Sequence, residues 1–278
     1  MLVQKVQPGA RLLHSWPLTG GVSARVTALE FRRANGQIGR LVVRQYGQHD
    51  LRANPDIARQ EDALLRALHA AGLPVPLPHY FEAGLLVTDF MPGATEFQPA
   101  DGPDCVRQMA AFLARLHALA RTDLPFLRFL APPAPRPAIA DESLSESRIR
   151  NALERLGSPA LKTPAVLHGD FWPGNLLWSG GQLSAVIDWE DAVHGDPLAD
   201  LGNARLELLF FLGAGAMQAF TREYAALSGA HLAWLPYWDL RAALRPCGRL
   251  GNWGLEAGVE RRMRQRHRAF VNAALEHL

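Results

Sequence analysis

The stretch His168-Gly-Asp170-Phe-Trp-Pro-Gly-Asn175 places an imidazole, a carboxylate and an amide within eight residues, and a second carboxylate follows at Asp188 in Val-Ile-Asp-Trp-Glu-Asp. Short apolar runs lie between Asn175 and Asp188, on either side of Ser179-Gly180-Gly181, which signals a turn between two strands. Paired antiparallel, those strands bring Asn175 and Asp188 to one end. An amide oxygen beside a carboxylate suits Mg²⁺, which takes oxygen ligands and completes its shell with waters and substrate phosphates. Asp170, in the loop entering the hairpin, can face the same cavity and orient an attacking hydroxyl by accepting its proton. His168 stands with it at a strand end, where a ring nitrogen could brace the loop through backbone. One base and two oxygen ligands around a phosphate chain is the equipment of phosphoryl transfer.

Elements must deliver these groups. In residues 1–92, Ala24–Phe31 and Gly39–Tyr46 read as strands, with Ala-Asn-Gly-Gln as the turn before the second. Residues 55–71 read as a helix with Pro55 in its first turn and Gly72 at its end. Leu-Pro-Val-Pro-Leu-Pro is an extended connector, because each proline disfavours helix in the residue before it. Gly84–Gly93 holds a short buried strand stopped by Pro-Gly. Beyond it, residues 93–278 turn helical: Asp104–Ala120, a segment from Glu146 to Gly157, and most of the chain after Asp196, with one hairpin embedded. The run Leu208–Met217 reads as a buried helix, too short for the ~20 residues of a membrane span. The predicted class is α+β, with a small antiparallel sheet leading a larger, mainly helical part and a boundary near Pro92.

Totals narrow the function. A net charge of +2 over 278 residues argues against a nucleic-acid partner. The basic run Arg-Arg-Met-Arg-Gln-Arg-His-Arg in the last helix reads as its solvated face. Two distant cysteines, Cys105 and Cys247, fit neither a disulfide framework nor a metal site, and no apolar leader is evident, so we expect a cytoplasmic protein without membrane association.

The motif from His168 to Asp191 resembles the aminoglycoside phosphotransferase and choline kinase-like family, which shares the protein-kinase fold. The resemblance implies two lobes, residues 1–92 for nucleotide and residues 93–278 for catalysis and substrate. It implies an ATP- and Mg²⁺-dependent transfer of phosphate to a hydroxyl of a small molecule, with Asp170 as base and Asn175 and Asp188 as metal ligands. Glu190 could touch a second metal. Leu18–Phe31 resembles the family's phosphate loop, where Gly20 and Gly21 would let backbone N–H groups approach phosphate and Ser23 would donate its hydroxyl. No lysine occurs between Lys5 and Lys162, so the phosphate-holding cation expected on the second strand is Arg44, with Glu61 of the following helix as its partner. Arginine matches phosphate but needs more room than lysine. The backbone of Asp89 and Met91 would meet the adenine edge, with Thr88 at the back of the pocket and the Asp89 side chain toward solvent. Asp196 and Asp200, in the stretch after the hairpin, are expected as caps and structural partners. The segment Trp234–Gly254, with three tryptophans and a tyrosine, is expected to set acceptor specificity or to pack the core; its single acid, Asp239, disfavours a polycationic acceptor. A nucleotide-binding regulator without turnover is the alternative.

Overall fold

A computed structural model describes residues 2–18, 24–120, 124–161 and 163–278. After a short helix α1 (Leu2–Val6), five antiparallel strands form one sheet: β1 (Arg11–Pro17), β2 (Ala24–Arg32), β3 (Ile38–Tyr46), β4 (Pro78–Glu82) and β5 (Leu85–Asp89), in the order β1-β2-β3-β5-β4. The register places Val26 opposite Arg44, and Arg44 opposite Leu86. Since alternate residues of a strand share a face, Val42 and Arg44 point the same way. Strands β1 and β4 were not foreseen. β1 is largely exposed and β4 exposed at its end, so neither carries a clean apolar alternation.

The helix expected over residues 55–71 is α3 (Ile57–Ala70), and a short helix α2 (Gln48–Ala53), not foreseen, precedes it. Pro55 falls between them and not inside a first turn. Leu64, Leu65 and Leu68 are buried with Glu61 on one face of α3, which fastens the sheet to the remainder of the chain. The main core runs without interruption from Tyr46, Leu65 and Leu86 into the helical part.

That part comprises α4 (Gly102–His117), α5 (Glu146–Leu156), α6 (Pro197–Phe211), α7 (Ala214–Ser228), α8 (Leu235–Ala243) and α9 (Ala257–Glu276). Two strand pairs are inserted: β6 (Ala165–Leu167) with β9 (Val193–Gly195), and β7 (Leu176–Ser179) with β8 (Gln182–Val186). The helix starts follow capping chemistry. Asp101 accepts from Asp104 N–H, Asp196 from Leu198 N–H, and Glu256 from Gly258 and Val259 N–H, each satisfying a donor left over by the first turn. The run Leu208–Met217 is not one helix: α6 ends at Phe211, and Gly213 turns the chain at φ +90°.

Helix α6 is the hub. It packs on α8 so tightly that a Cβ on Gly202 would lie 2.7 Å from the Trp238 carbonyl oxygen. Beside this contact Arg205 donates twice to Asp239, at 2.9 Å each. Burial still lifts the Asp239 carboxyl to about 6, against the pull of Arg205. Arg266 of α9 donates to the carbonyls of Leu209 and Phe210, closing the C-terminal end of α6. Truncating a fully buried residue here, such as Leu206, would cost about 2–5 kcal/mol.

Candidate active site

Strand β7 pairs with β8 so that Leu176 faces Val186. One step toward the open end, Ile187 N–H donates to the Asn175 carbonyl at 3.0 Å. The hairpin thus carries Asn175 and Asp188 to the same end, offset by one residue from direct opposition. Asp188 has a left-handed backbone, φ +67°. That conformation is uncommon outside glycine and concentrates at functional positions.

The loop between β6 and β7 is held from every side. Asp200 of α6 accepts from the N–H groups of His168 (2.7 Å) and Gly169 (2.9 Å), while the ring of His117 lies 3.3 Å from its Oδ2. Burial alone would raise the Asp200 carboxyl; the hydrogen bonds from His117 and from His168 N–H prevail and hold it below the usual range. His168 is fully buried. Its Nδ1 accepts from Asp170 N–H at 3.2 Å, which leaves Nε2–H to donate to the Ile187 carbonyl at 3.0 Å. Both ring nitrogens are therefore spent on backbone. The imidazole ties the Asp170 loop to the hairpin end and has no nitrogen left for a reacting atom, so the geometry supports the bracing role read for His168 from the sequence and leaves it no catalytic one. Gly169 (φ +82°) sits where a Cβ would come within 2.2 Å of the Asp191 carbonyl oxygen, so no other residue fits without moving the backbone.

Asn175 Nδ2 donates to the Asp170 carbonyl (2.9 Å) and to Asp170 Oδ2 (3.2 Å). Its own side-chain oxygen is thereby turned away from Asp170. Asp170 Oδ1 accepts from Arg245, which follows α8, at 2.5 Å. Burial pushes the Asp170 carboxyl above its ordinary value, with the Arg245 guanidinium opposing.

A cavity of about 520 Å³ lies between the sheet and this loop, within the range of small-molecule sites. Val26, Val42, Leu65 and Leu86 form apolar walls, and Thr88, Asp89 and Met91 line one edge. Arg44, Glu61, Asn175 and Asp188 supply the polar end. Asp89 N–H donates to the Leu77 carbonyl at 2.9 Å, so the group Asp89 can offer a base is its carbonyl. Its side chain is not simply solvated: His79 Nε2 lies 2.6 Å from its Oδ1 and keeps the carboxyl below the usual range despite partial burial. Gly20, Gly21 and Ser23 lie outside the described residues, though Leu18 and Ala24 on either side of that segment reach the cavity.

The Arg44 corner departs from the sequence expectation. Arg44 Nη2 donates to Asp188 Oδ1 at 2.8 Å and to Glu190 Oε2 at 2.5 Å. Glu61 instead accepts from the Tyr46 hydroxyl at 2.6 Å. Burial disfavours the Arg44 charge, and the carboxylates of Glu61, Asp188 and Glu190 more than offset it, holding the guanidinium above its ordinary range. Glu61 thus acts on Arg44 through its field, not through a bond. Arg44 Nε is buried without a hydrogen-bond partner.

Among the described residues no group of three or more His, Cys, Asp or Glu side chains is arranged to hold a metal ion. Asn175 and Asp188 nonetheless give two oxygen donors at one end of one cavity, with room for waters and phosphate oxygens to complete a shell. That donor set fits Mg²⁺.

Three aromatic rings gather beside the loop. Phe97, Trp172 and Phe211 have centroids 4.9–6.0 Å apart, and Phe97 and Trp172 reach the cavity. The Trp172 ring lies over Gly174, where a Cβ would meet it at 2.3 Å. In Trp234–Gly254, by contrast, Tyr237 and Trp238 are buried in the core, while Trp234 and Trp253 are exposed. Arg245 carried no sequence signal among so many arginines. Asp200, foreseen as a structural partner, proves to be a partner of the site itself.

A family model described as the phosphotransferase enzyme family matches residues 17–256. Hygromycin-B 4-O-kinase of Escherichia coli is 35% identical over 68 residues, a match spanning 23% of this chain and 20% of that enzyme, so the chain covers only a fifth of the curated relative's length. Among solved structures, apo macrolide 2'-phosphotransferase MphH from Brachybacterium faecium superposes with a TM-score of 0.62 at 21% identity, covering 99% of this chain and 96% of that one. A thermostable aminoglycoside phosphotransferase APH(4)-Ia in ternary complex with ADP and hygromycin B gives 0.63 at 19% identity, covering 98% and 97%. These last two likenesses establish the two-lobed, kinase-like α+β fold.

Proposed function

The chain belongs to the phosphotransferase enzyme family, and from that premise we propose that it is a small-molecule kinase, passing the γ-phosphate of ATP to a hydroxyl with the help of Mg²⁺. The observation that carries this reading is that Asn175 and Asp188 stand at the polar end of one cavity whose other end is apolar and edged by Thr88, Asp89 and Met91, with the Asp170 carboxylate hydrogen-bonded to Asn175 beside it. Residues 1–92 would serve as the nucleotide lobe and residues 93–278 as the catalytic and acceptor lobe. The purine would lie between Val26, Val42 and Leu86, its edge toward the backbone at Asp89 and Met91. Gly20, Gly21 and Ser23 would cover the phosphates. Asn175 and Asp188 would hold Mg²⁺, which supplies charge neutralisation along the phosphate chain. Arg44 would turn its guanidinium from Asp188 toward phosphate oxygens, helped by the field of Glu61. Asp170 would orient the acceptor hydroxyl and take its proton as the new P–O bond forms and the bond from the γ-phosphorus to the β–γ bridging oxygen breaks, releasing ADP.

The acceptor side is aromatic. Phe97, Trp172 and Phe211 offer a stacking or apolar surface, and the charges around Asp170 are the cation Arg245 and the carboxylates Asp188, Asp191 and Glu207. An acceptor with an apolar body fits the aromatic surface, and a macrolide phosphotransferase is among the structural neighbours. Two free cysteines and the absence, among described residues, of any helix long and apolar enough to cross a membrane accord with a cytoplasmic setting.

The test is ATP consumption with Mg²⁺ against a panel containing hygromycin B, kanamycin, a macrolide and simple amino alcohols, with product identified by a mass gain of one phosphoryl group. Phosphorylated acceptor supports the reading. Mg²⁺-dependent ATP binding with no turnover on any acceptor or on water would instead favour a nucleotide-binding regulator.

A further inference from the structure

The loop that carries Asp170 contains no cation of its own. Between His168 and Asn175 the residues are Gly169, Asp170, Phe171, Trp172, Pro173 and Gly174, and the His168 ring spends Nδ1 on accepting from the Asp170 N–H. Yet Asp170 stands among like charges: Asp188 and Asp191 from the turn after β8, and Glu207 from α6. The cation that meets it comes from 75 residues downstream. Arg245 lies two residues past the end of α8, and its guanidinium forks across the loop. Nη1 donates to the Gly169 carbonyl at 2.8 Å and Nη2 to Asp170 Oδ1 at 2.5 Å.

This fork completes the account of the loop's polar groups. The N–H groups of His168 and Gly169 go to Asp200, that of Asp170 goes to His168, and the Asp170 carbonyl goes to Asn175. Arg245 takes the Gly169 carbonyl. The two carboxylate oxygens of Asp170 are then held by different donors, Oδ2 by Asn175 and Oδ1 by Arg245, which fixes the plane of the carboxylate. A planar fork suits a carbonyl and a carboxylate at once; an ammonium is a point donor and cannot span both in the same geometry.

We propose that Arg245 is a positioning residue of the phosphoryl transfer: it sets the orientation of the Asp170 carboxylate toward the acceptor hydroxyl, doing from α8 what no residue of the loop can do. The inference rests on Asp170 being the base. Misplacing a catalytic group by about 1 Å can cost about a hundredfold in rate. Its loss should therefore appear in kcat with nucleotide affinity unchanged, since Arg245 touches neither Arg44 nor Asp188.

Arg245→Ala, Arg245→Lys and Asp170→Asn are compared with the parent chain, using the acceptor from the panel above that turns over, or water where none does. The expected result is a kcat for Arg245→Ala lower by tenfold or more, with KM for Mg·ATP within twofold and partial recovery on adding guanidinium chloride at millimolar concentration. Arg245→Lys should recover less than tenfold of the loss. A kcat for Arg245→Ala within twofold of the parent, while Asp170→Asn is inactive, overturns the inference and leaves the kinase reading standing. A loss that guanidinium does not restore and that parallels a fall in Tm also overturns it, since it marks Arg245 as structural. Full turnover by Asp170→Asn overturns the reading on which the inference depends.

Discussion

The two polar clusters of the site, around Asp170 and around Arg44, are built differently. Around Asp170 each backbone donor from His168 to Asp170 has a partner, and the partners come from α6, the hairpin end and the segment after α8. Around Arg44 one guanidinium bridges two carboxylates, leaves Nε buried without a partner, and stands apart from the glutamate expected to hold it. The first region is prearranged, as a group that aligns a hydroxyl should be. The second must exchange partners before Asp188 can hold a metal and Arg44 can hold phosphate. On the proposed function, chemistry would fall on the rigid side and nucleotide capture on the adjustable one.

The largest way to break this contrast is to remove what makes the loop rigid. Asp200→Ala would leave the N–H groups of His168 and Gly169 and the Nε2 of His117 without their partner, at a cost of about 3–5 kcal/mol. Urea denaturation should show that loss, and turnover should fall with it. A destabilisation under 1 kcal/mol would mean the loop is held by something else.

Next in size is the other end. Arg44→Ala should raise KM for Mg·ATP by about tenfold to a hundredfold, consistent with losing charge-assisted bonds of roughly 1.5–3 kcal/mol. Amide exchange across His168–Asn175 should stay as slow as in the parent. Faster exchange there would show that the two regions are coupled and that the contrast is false.

Smaller still is a pH effect beside Asp170. Burial raises the Glu207 carboxyl to about 7, with the charge of Asp170 adding to it. A folded-state value above the unfolded one means that the native protein binds this proton more tightly. The resulting stability is full below about pH 4 and is lost as pH rises through about 7. Glu207→Gln should therefore raise stability at pH 8 by about 1–2 kcal/mol and leave it nearly unchanged at pH 5. Equal Tm values for the two chains at pH 8 would refute this.

Local chemistry explains which parts could be read from the sequence. The hairpin was legible because Ser179-Gly180-Gly181 punctuates two apolar runs, and the start of α6 because Asp196 marks it as a cap. Strands β1, β4 and β9 were not, since exposed or three-residue strands owe their pairing to neighbours more than to pattern. The α6–α7 break escaped because apolar residues continue through Gly213. Within the site, Asp170, Asn175 and Asp188 share a local motif, whereas Arg245 belongs to it only through the fold. The Arg44–Glu61 pairing failed for a comparable reason: Tyr46, two residues along the same strand, reaches Glu61 first.

The most direct measurement of the central claim is the pair of constants for Asp170→Ala: turnover on the acceptor that the parent phosphorylates, and Kd for Mg·ATP by calorimetry. We predict turnover lower by about a thousandfold or more with Kd within about twofold of the parent. Turnover near the parent value, or a loss explained wholly by weaker nucleotide binding, would contradict Asp170 as the group that aligns the attacking hydroxyl.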